Sequence, residues 1–470
     1  MPNWYKVYDN LPNPLRVLAA NARGFYLRWW RYGSETEKLV EEALERETWS
    51  LERWKTWQEE RLSYVLHRAA TKVPYYRQYW IQQRQHGNQA SREVLENWPI
   101  LKKEVLRENS RAFIAEDCNI HRMFLDRTSG TTGTPLSLYF KRDTLKQYYA
   151  LFEARIRRWH RIMLRERWAI LGGQRIVPFN QENPPFWVFN AGLNQLYLST
   201  YHLHGKNAKT YVDALNVYAP THMIVYPSSA YILALTIIEN ALKVPRMKAI
   251  ITNAEVLLNK HKKTIAEAFR CPVRNTYGMG EMVTAASECE EGLMHIWPEV
   301  GITEVFRDME DVPLSNGGVG RLVLTSLLNA DMPFIRYEVG DRGSVYFPEV
   351  PCSCGRSLPL LSRIEGRLND LIVTRDGRRI FWINPVFYGL PIREAQIIQE
   401  NLDFIRVKFV KANGYTNRDG ISIIKRLRER VGDMEIVMEP VEYIPRSSNG
   451  KFRAVISMVA KEKDNNAVNT

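Results

Sequence analysis

Cysteine is scarce in this chain: five in 470 residues, an odd number. That excludes a domain stapled by disulfides and favours a reducing, cytoplasmic setting. No secretory leader is read near the start, because Val17 to Leu27 is interrupted by Arg23 and followed closely by Arg28 and Arg31. The uncharged run long enough to cross a bilayer, Ala214 to Ile238, is split by Pro220, Pro227, Ser228 and Ser229. It therefore reads as a buried strand over Thr221–Tyr226 and a helix over Ser229–Leu242, and no transmembrane segment is expected. Lys/Arg-only blocks are lacking too. Although 65 Lys plus Arg against 52 Asp plus Glu leave a net charge of +13, no nucleic-acid recognition motif accompanies it, and nucleic acid is not an expected partner. Repeats and low-complexity tracts are absent apart from a polar end after Lys461.

What is present is globular composition, 45% hydrophobic and 25% charged, with enough chain for several domains and a cleft. The basic excess favours anionic partners (nucleotides, coenzyme A, nucleic acid, acidic glycans or anionic lipid) without choosing among them. Residues 1–110 read as mainly helical, with Leu51, Trp54, Trp57, Leu62, Val65 and Leu66 at helical spacing. Within them, Val17–Tyr32 mixes Arg with Trp, Tyr and Phe. It suits a helix on a membrane surface or one packed on the main body, and packing is favoured. Residues 111–366 alternate strands (Trp168–Leu171, His222–Tyr226, Lys248–Thr252, Arg321–Ser326) with helices such as Leu257–Phe269. This predicts an α/β fold with largely parallel sheets. A polar joint at Arg363–Asp370 places a domain boundary near Asn369, and residues 367–470 read as a small α+β domain with strands Arg406–Lys411 and Glu435–Glu439.

The sharpest chemical feature is Thr128-Ser129-Gly130-Thr131-Thr132-Gly133-Thr134-Pro135 between two apolar runs. Such a loop can turn backbone N–H groups and hydroxyls toward one point, which suits a polyphosphate. It is not a Walker loop, since no Gly-Lys-Ser/Thr follows. A second constellation, Cys289-x5-His295 with Cys352-x-Cys354-Gly355, offers three thiolates and an imidazole, the ligand set of a closed, structural Zn²⁺ site. Lys141–Arg175 carries ten Lys/Arg against three Asp/Glu, read as an anion-binding surface or, favoured, the solvated face of a helix such as Leu151–Leu164.

The phosphate-type loop resembles that of the adenylate-forming ligases, and further motifs follow in that superfamily's order. These are Asn275-Thr-Tyr-Gly-Met-Gly-Glu281, Arg336-Tyr-Glu-Val-Gly-Asp-Arg-Gly343, Gly366-Arg-Leu-Asn-Asp370 and Ser447-Ser-Asn-Gly-Lys-Phe-Arg453. Ala69-Ala-Thr-Lys-Val-Pro-Tyr-Tyr-Arg77 and Trp98-Pro-Ile-Leu-Lys-Lys103 resemble the phenylacetate–CoA ligase family, nearest its capsular polysaccharide branch.

The resemblance implies a large ATP-binding domain, a small mobile C-terminal domain and a reaction through an acyl-adenylate. Thr128, Ser129, Gly130, Thr131, Thr132 and Gly133 would hold the phosphates. Asn253, Ala254, Glu255, Tyr277 and Gly278 would line the adenine site, and Asp341 would accept the ribose hydroxyls. Arg367 would contact ribose or α-phosphate, Glu281 would hold Mg²⁺, and Lys451 would bridge the substrate carboxylate and α-phosphate. The same resemblance implies ATP, Mg²⁺, coenzyme A and a structural zinc, and leaves room for a homodimer. A sugar or amine acceptor in capsule synthesis is the runner-up to coenzyme A, and an inactive scaffold of the same fold is the alternative of another class. Three positions depart from the pattern: Leu136 stands where many relatives have Lys, Asn369 where the hinge usually has Asp, and Ala254 where glycine is commoner.

Overall fold

The structure is a computed structural model that describes residues 8, 10–128, 135–204, 206–308, 310–367, 371–380 and 383–459. Residues 129–134, the expected phosphate loop, and 368–370, the expected hinge, lie outside the described residues, and nothing is said of the side chain of Arg367.

The first hundred residues form helices α1 (Asn13–Arg31), α2 (Ser34–Arg46), α3 (Leu51–Lys72) and α4 (Pro74–Gln85). Helix α3 begins where the Ser50 side chain accepts from the Arg53 N–H, and its apolar face buries Trp54, Val65 and Leu66. A hairpin of β1 (Phe124–Arg127) and β2 (Ser137–Phe140) follows, in antiparallel register from Phe124↔Phe140 to Arg127↔Ser137.

The body is a twelve-stranded sheet. Its parallel part runs, in spatial order, β8 (Val273–Gly278), β7 (Ala249–Thr252), β6 (His222–Val225), β3 (Trp168–Gly172) and β5 (Gln195–Ser199), with β4 (Trp187–Asn190) antiparallel at the edge. Strands β6 and β7 are buried along their whole length, as strands covered by helices on both faces must be. The sheet continues antiparallel through β9 (Ala285–Glu288), β10 (Met294–Ile296), β14 (Leu360–Arg367), β13 (Tyr337–Tyr346), β12 (Val319–Ser326) and β11 (Gly301–Phe306). The architecture is α/β, as the alternation predicts.

The helix expected over Ser229–Leu242 runs Pro227–Glu239, with Pro227 in the first turn where its missing N–H costs nothing. The basic segment departs in part from the expected solvated helix face. Its helix ends at Phe152, a wider turn spans Glu153–Arg157, and Arg155 and Arg157 point inward. Fully buried Arg155 makes a bidentate pair with Glu299 at 2.7 and 2.8 Å, and Arg157 pairs with Glu153 at 3.0 Å. Those two charges are consumed internally, while Arg142, Arg161, Arg165 and Arg167 stay exposed to solvent.

Toward the C-terminus, β15 (Ile392–Gln399), β16 (Phe404–Lys411), β17 (Glu435–Pro440) and β18 (Val455–Ser457) make a four-stranded sheet. A helix over Asn417–Val431 opens with a Thr416/Asp419 capping box and packs Ile423 and Leu427 against Ile397 and Val407. This core is separate from those of the large sheet.

Candidate active site

In a parallel sheet, the loops leaving the carboxyl ends of adjacent strands share one edge, where ligands bind. Here those loops carry Gly173 after β3, Thr200 and Tyr201 after β5, Tyr226 after β6, and Asn253–Glu255 after β7. A cavity of about 670 Å³ opens at this edge and is lined by Ala254, Glu255, Tyr277, Gly278, Asp341 and Lys451, among others. Residues nearly two hundred positions apart in the chain thus share one wall.

The Tyr277 hydroxyl donates to Asp341 Oδ2 at 2.7 Å, fixing the carboxylate beside the ring. Asp341 sits opposite Arg367 in the β13–β14 register, so their backbones are cross-strand neighbours. Ala254 has φ +68°, a left-handed conformation that costs an L-residue roughly 1–2 kcal/mol. That is the physical reason glycine suits this position better. The Asn253 N–H donates to Val225 O at 3.1 Å, tying the loop to the neighbouring strand.

Thr128 closes the base of the phosphate-type loop. Its N–H donates to Leu136 O at 3.0 Å, and its Oγ1 accepts from the Leu136 N–H at 3.1 Å. Leu136 is buried, so its departure from Lys is an apolar packing position. A Cβ on Gly280 would lie 3.8 Å from Thr128 Cγ2, which brings the loop's stem against the turn bearing Glu281. Glu281 is buried, and its Oε1 accepts from Lys103 Nζ at 3.1 Å and from the Tyr337 hydroxyl at 3.2 Å.

The loop bearing Lys451 docks on the same edge. The Phe452 N–H donates to Glu255 Oε1 at 2.6 Å while Glu255 Oε2 accepts from the Ser228 N–H at 3.0 Å, so one carboxylate ties the two domains. The Tyr201 hydroxyl lies between Gly173 O at 2.6 Å and Ser448 O at 3.0 Å. Gly173 and Gly450 meet with no room for a side chain: a Cβ on Gly173 would fall 1.8 Å from Asn449 O.

Comparison with known proteins agrees with this geometry. Residues 372–458 match the CapK C-terminal domain. Protein CapK of Staphylococcus aureus is 28% identical over 371 residues, covering 77% of this chain and 80% of that protein. A phenylacetate-coenzyme A ligase of Thermus thermophilus is 23% identical over 455 residues, covering 88% of this chain and 98% of its own. These likenesses support an enzyme of the phenylacetate–CoA ligase type. Among solved structures, a 2-hydroxyisobutyryl-CoA ligase in its postadenylation state with R3-HIB-AMP superposes with a TM-score of 0.68 at 21% identity, over 90% of this chain and 93% of that one. In complex with 2-HIB-AMP and CoA in the thioesterification state, the score is 0.54 at 20% identity, over 90% and 94%. At such identity the likeness concerns the fold alone, and it is the adenylate-forming fold.

Away from the cavity, the fold gathers the four predicted metal ligands. The ligand atoms of Cys289, His295, Cys352 and Cys354 all lie within 4.8 Å of one another. Zn–S bonds of about 2.3 Å place tetrahedral sulfurs roughly 3.8 Å apart, so the cluster fits zinc. Two tight turns make it: Gly292, with φ +83°, donates to Cys289 O, and Gly355, with φ +85°, donates to Cys352 O. His295 Nε2 lies 3.5 Å from Cys354 Sγ, while Nδ1 lies 3.3 Å from Leu358 O, an outer contact that orients the ring. Burial pushes the His295 pKa down to about 4, which keeps the imidazole neutral, the form that binds metal.

Several residues of the site carry no role in the sequence reading. Lys103 belongs to a quoted motif, but only the fold takes it to Glu281: Leu101 pairs with β13 through its N–H to Arg336 O and its carbonyl to the Glu338 N–H. Gly173 had no signal of its own. His202, near the same edge, is buried between Ser199 Oγ and Pro178 O and is a satisfied structural histidine.

Proposed function

We propose that the chain activates a carboxylic acid with ATP and passes the acyl group to coenzyme A. The observation that carries this is the docking of the Lys451 loop at the mouth of the cavity holding Tyr277 and Asp341. There a mobile cation meets a pocket shaped for a nucleoside. The better superposition on the postadenylation arrangement than on the thioesterification one supports reading this as the adenylation conformation.

In the first step a substrate carboxylate oxygen attacks the α-phosphorus of ATP, and the bond to the β-phosphate oxygen breaks. The products are acyl-AMP and pyrophosphate. Asp341 accepts from the ribose hydroxyls and Tyr277 packs on adenine. Lys451 lies where negative charge shifts between carboxylate and α-phosphate, and it works by position and charge. The phosphate-type loop rising from Thr128 cradles the polyphosphate. Glu281 would hold Mg²⁺ through the oxygen that Lys103 and Tyr337 leave open, a hard donor suited to that ion. An ion held there would supply positive charge to offset that of the leaving pyrophosphate. In the second step the thiol sulfur attacks the acyl carbon and AMP leaves, while the thiol proton is released. The Lys451 loop must leave the edge to admit the thiol. The Cys289/His295/Cys352/Cys354 cluster would hold one structural zinc, since four protein ligands leave no open position for catalysis.

A second reading, drawn from the resemblance to the capsular polysaccharide branch, is acyl transfer to an amine or hydroxyl of a sugar precursor. Adenylation is common to both. Pyrophosphate–ATP exchange across a panel of acids, without any acceptor, should reveal one acid that drives exchange. Lys451→Ala should lower that exchange about 10²–10³-fold with ATP affinity little changed. Exchange by wild type with no acid in a broad panel, or full exchange by the variant, would overturn the reading.

A further inference from the structure

Helix α1 presents two faces of opposite character. One is built into the body: Arg16, Gly24 and Trp30 are buried, and a Cβ on Gly24 would collide with the Asn190 side chain at 1.8 Å. The other is apolar and open. Leu15, Leu18, Phe25, Tyr26 and Trp29 are 46, 64, 55, 43 and 72% exposed. With Ala22, positions 15, 18, 22, 25 and 29 alternate steps of three and four, so they form one stripe along the helix. Five large apolar side chains left in water on one helix mark a contact surface.

The charge around the stripe has one sign. Between Asn10 and Ser34 there is no Asp or Glu, and exposed Arg23 and Arg28 flank the apolar residues. A third exposed arginine, Arg142, donates to the Tyr26 hydroxyl at 2.9 Å and extends the basic rim. Rings able to sit at headgroup level, an apolar stripe and a purely cationic border are the composition of a helix that lies in a lipid interface.

We propose that the open face of α1 docks the protein on an anionic lipid surface, the helix lying in the plane of the membrane. No helix among the described residues is long and apolar enough to cross a bilayer, so the contact is peripheral. A second copy of the chain fits this face less well, because its helix would bring arginine against arginine with no acid to pair. The inference does not depend on the reaction proposed above.

Sedimentation of the full chain with vesicles tests it. Vesicles of phosphatidylcholine mixed with phosphatidylglycerol should carry the protein down, more weakly as salt rises, whereas phosphatidylcholine alone should not. Arg23→Gln with Arg28→Gln should weaken partitioning roughly thirty-fold. Leu18→Glu with Trp29→Glu should abolish it while leaving thermal stability and pyrophosphate exchange unchanged, since both side chains face solvent. Failure of wild type to sediment with the anionic vesicles would overturn the proposal. So would wild-type sedimentation of the Leu18/Trp29 variant. A dimer that this variant dissociates, without any vesicle binding, would assign the face to a second copy instead.

Discussion

Replacing Gly173 with alanine should separate the two halves of the reaction. The new methyl would fall 1.8 Å from Asn449 O and 2.7 Å from its carbonyl carbon, where real contacts do not come below 3.0 Å. The obstacle is backbone on both sides, so no rotamer relieves it. The Lys451 loop must retreat by more than an ångström, and a misplacement of that size costs about 10²-fold in rate. The large domain alone should be indifferent, because the clash is with the docked loop and the Tyr226 hydroxyl at 2.9 Å can turn away. The assay is a pair of half-reactions. Pyrophosphate exchange should fall about 10²-fold, while supplied acyl-AMP should still be converted with coenzyme A at close to the wild-type rate. Melting temperature should be unchanged. Equal loss in both half-reactions, or no loss of exchange, would refute the docking argument.

Asp341→Ala should weaken ATP binding about 10²-fold, the loss of two hydrogen bonds to a charged acceptor, as read by calorimetry; unaltered affinity would remove the ribose assignment. Purified protein should contain about one equivalent of zinc, and Cys352→Ser should lower both that content and the melting temperature; metal-free protein of full stability would contradict the site. His222 is buried against Trp168 at a ring separation of 6.0 Å, and burial first, then Arg157, holds its pKa well below 6.5. Its folded form therefore resists protonation. The stability it contributes is complete above pH 6.5 and declines as pH falls below that value. Melting temperature should drop between pH 7 and pH 5, and less steeply in His222→Gln; parallel slopes would assign the acid sensitivity elsewhere.

What the sequence by itself determined is whatever depends on neighbours along the chain. Alternating apolar runs and turn residues set the α/β class, because side-chain period and Pro/Gly punctuation are local properties. The candidate zinc ligands were readable in the same way, as two short turns of Cys, His and Gly, although only the β9–β10 hairpin and the loop before β14 bring the halves within 4.8 Å. Ala254 was visible as a departure from glycine, but its φ of +68° was not.

Tertiary structure decided the rest, and for one physical reason: contacts between distant segments are fixed by packing, which no local pattern encodes. The ten basic residues of Lys141–Arg175 look like a charged surface in sequence. Folding places Arg155 at 0% exposure because Glu299, over a hundred residues away, supplies a matching carboxylate. Lys103 reaches Glu281 because Leu101 adds its backbone to β13. Gly173 is one glycine among 26 until the Asn449 carbonyl stands where its side chain would be. For α1 the sequence supplied an amphipathic, wholly cationic helix. Which face the body takes, and which it leaves to solvent, was settled only when Gly24 came against Asn190.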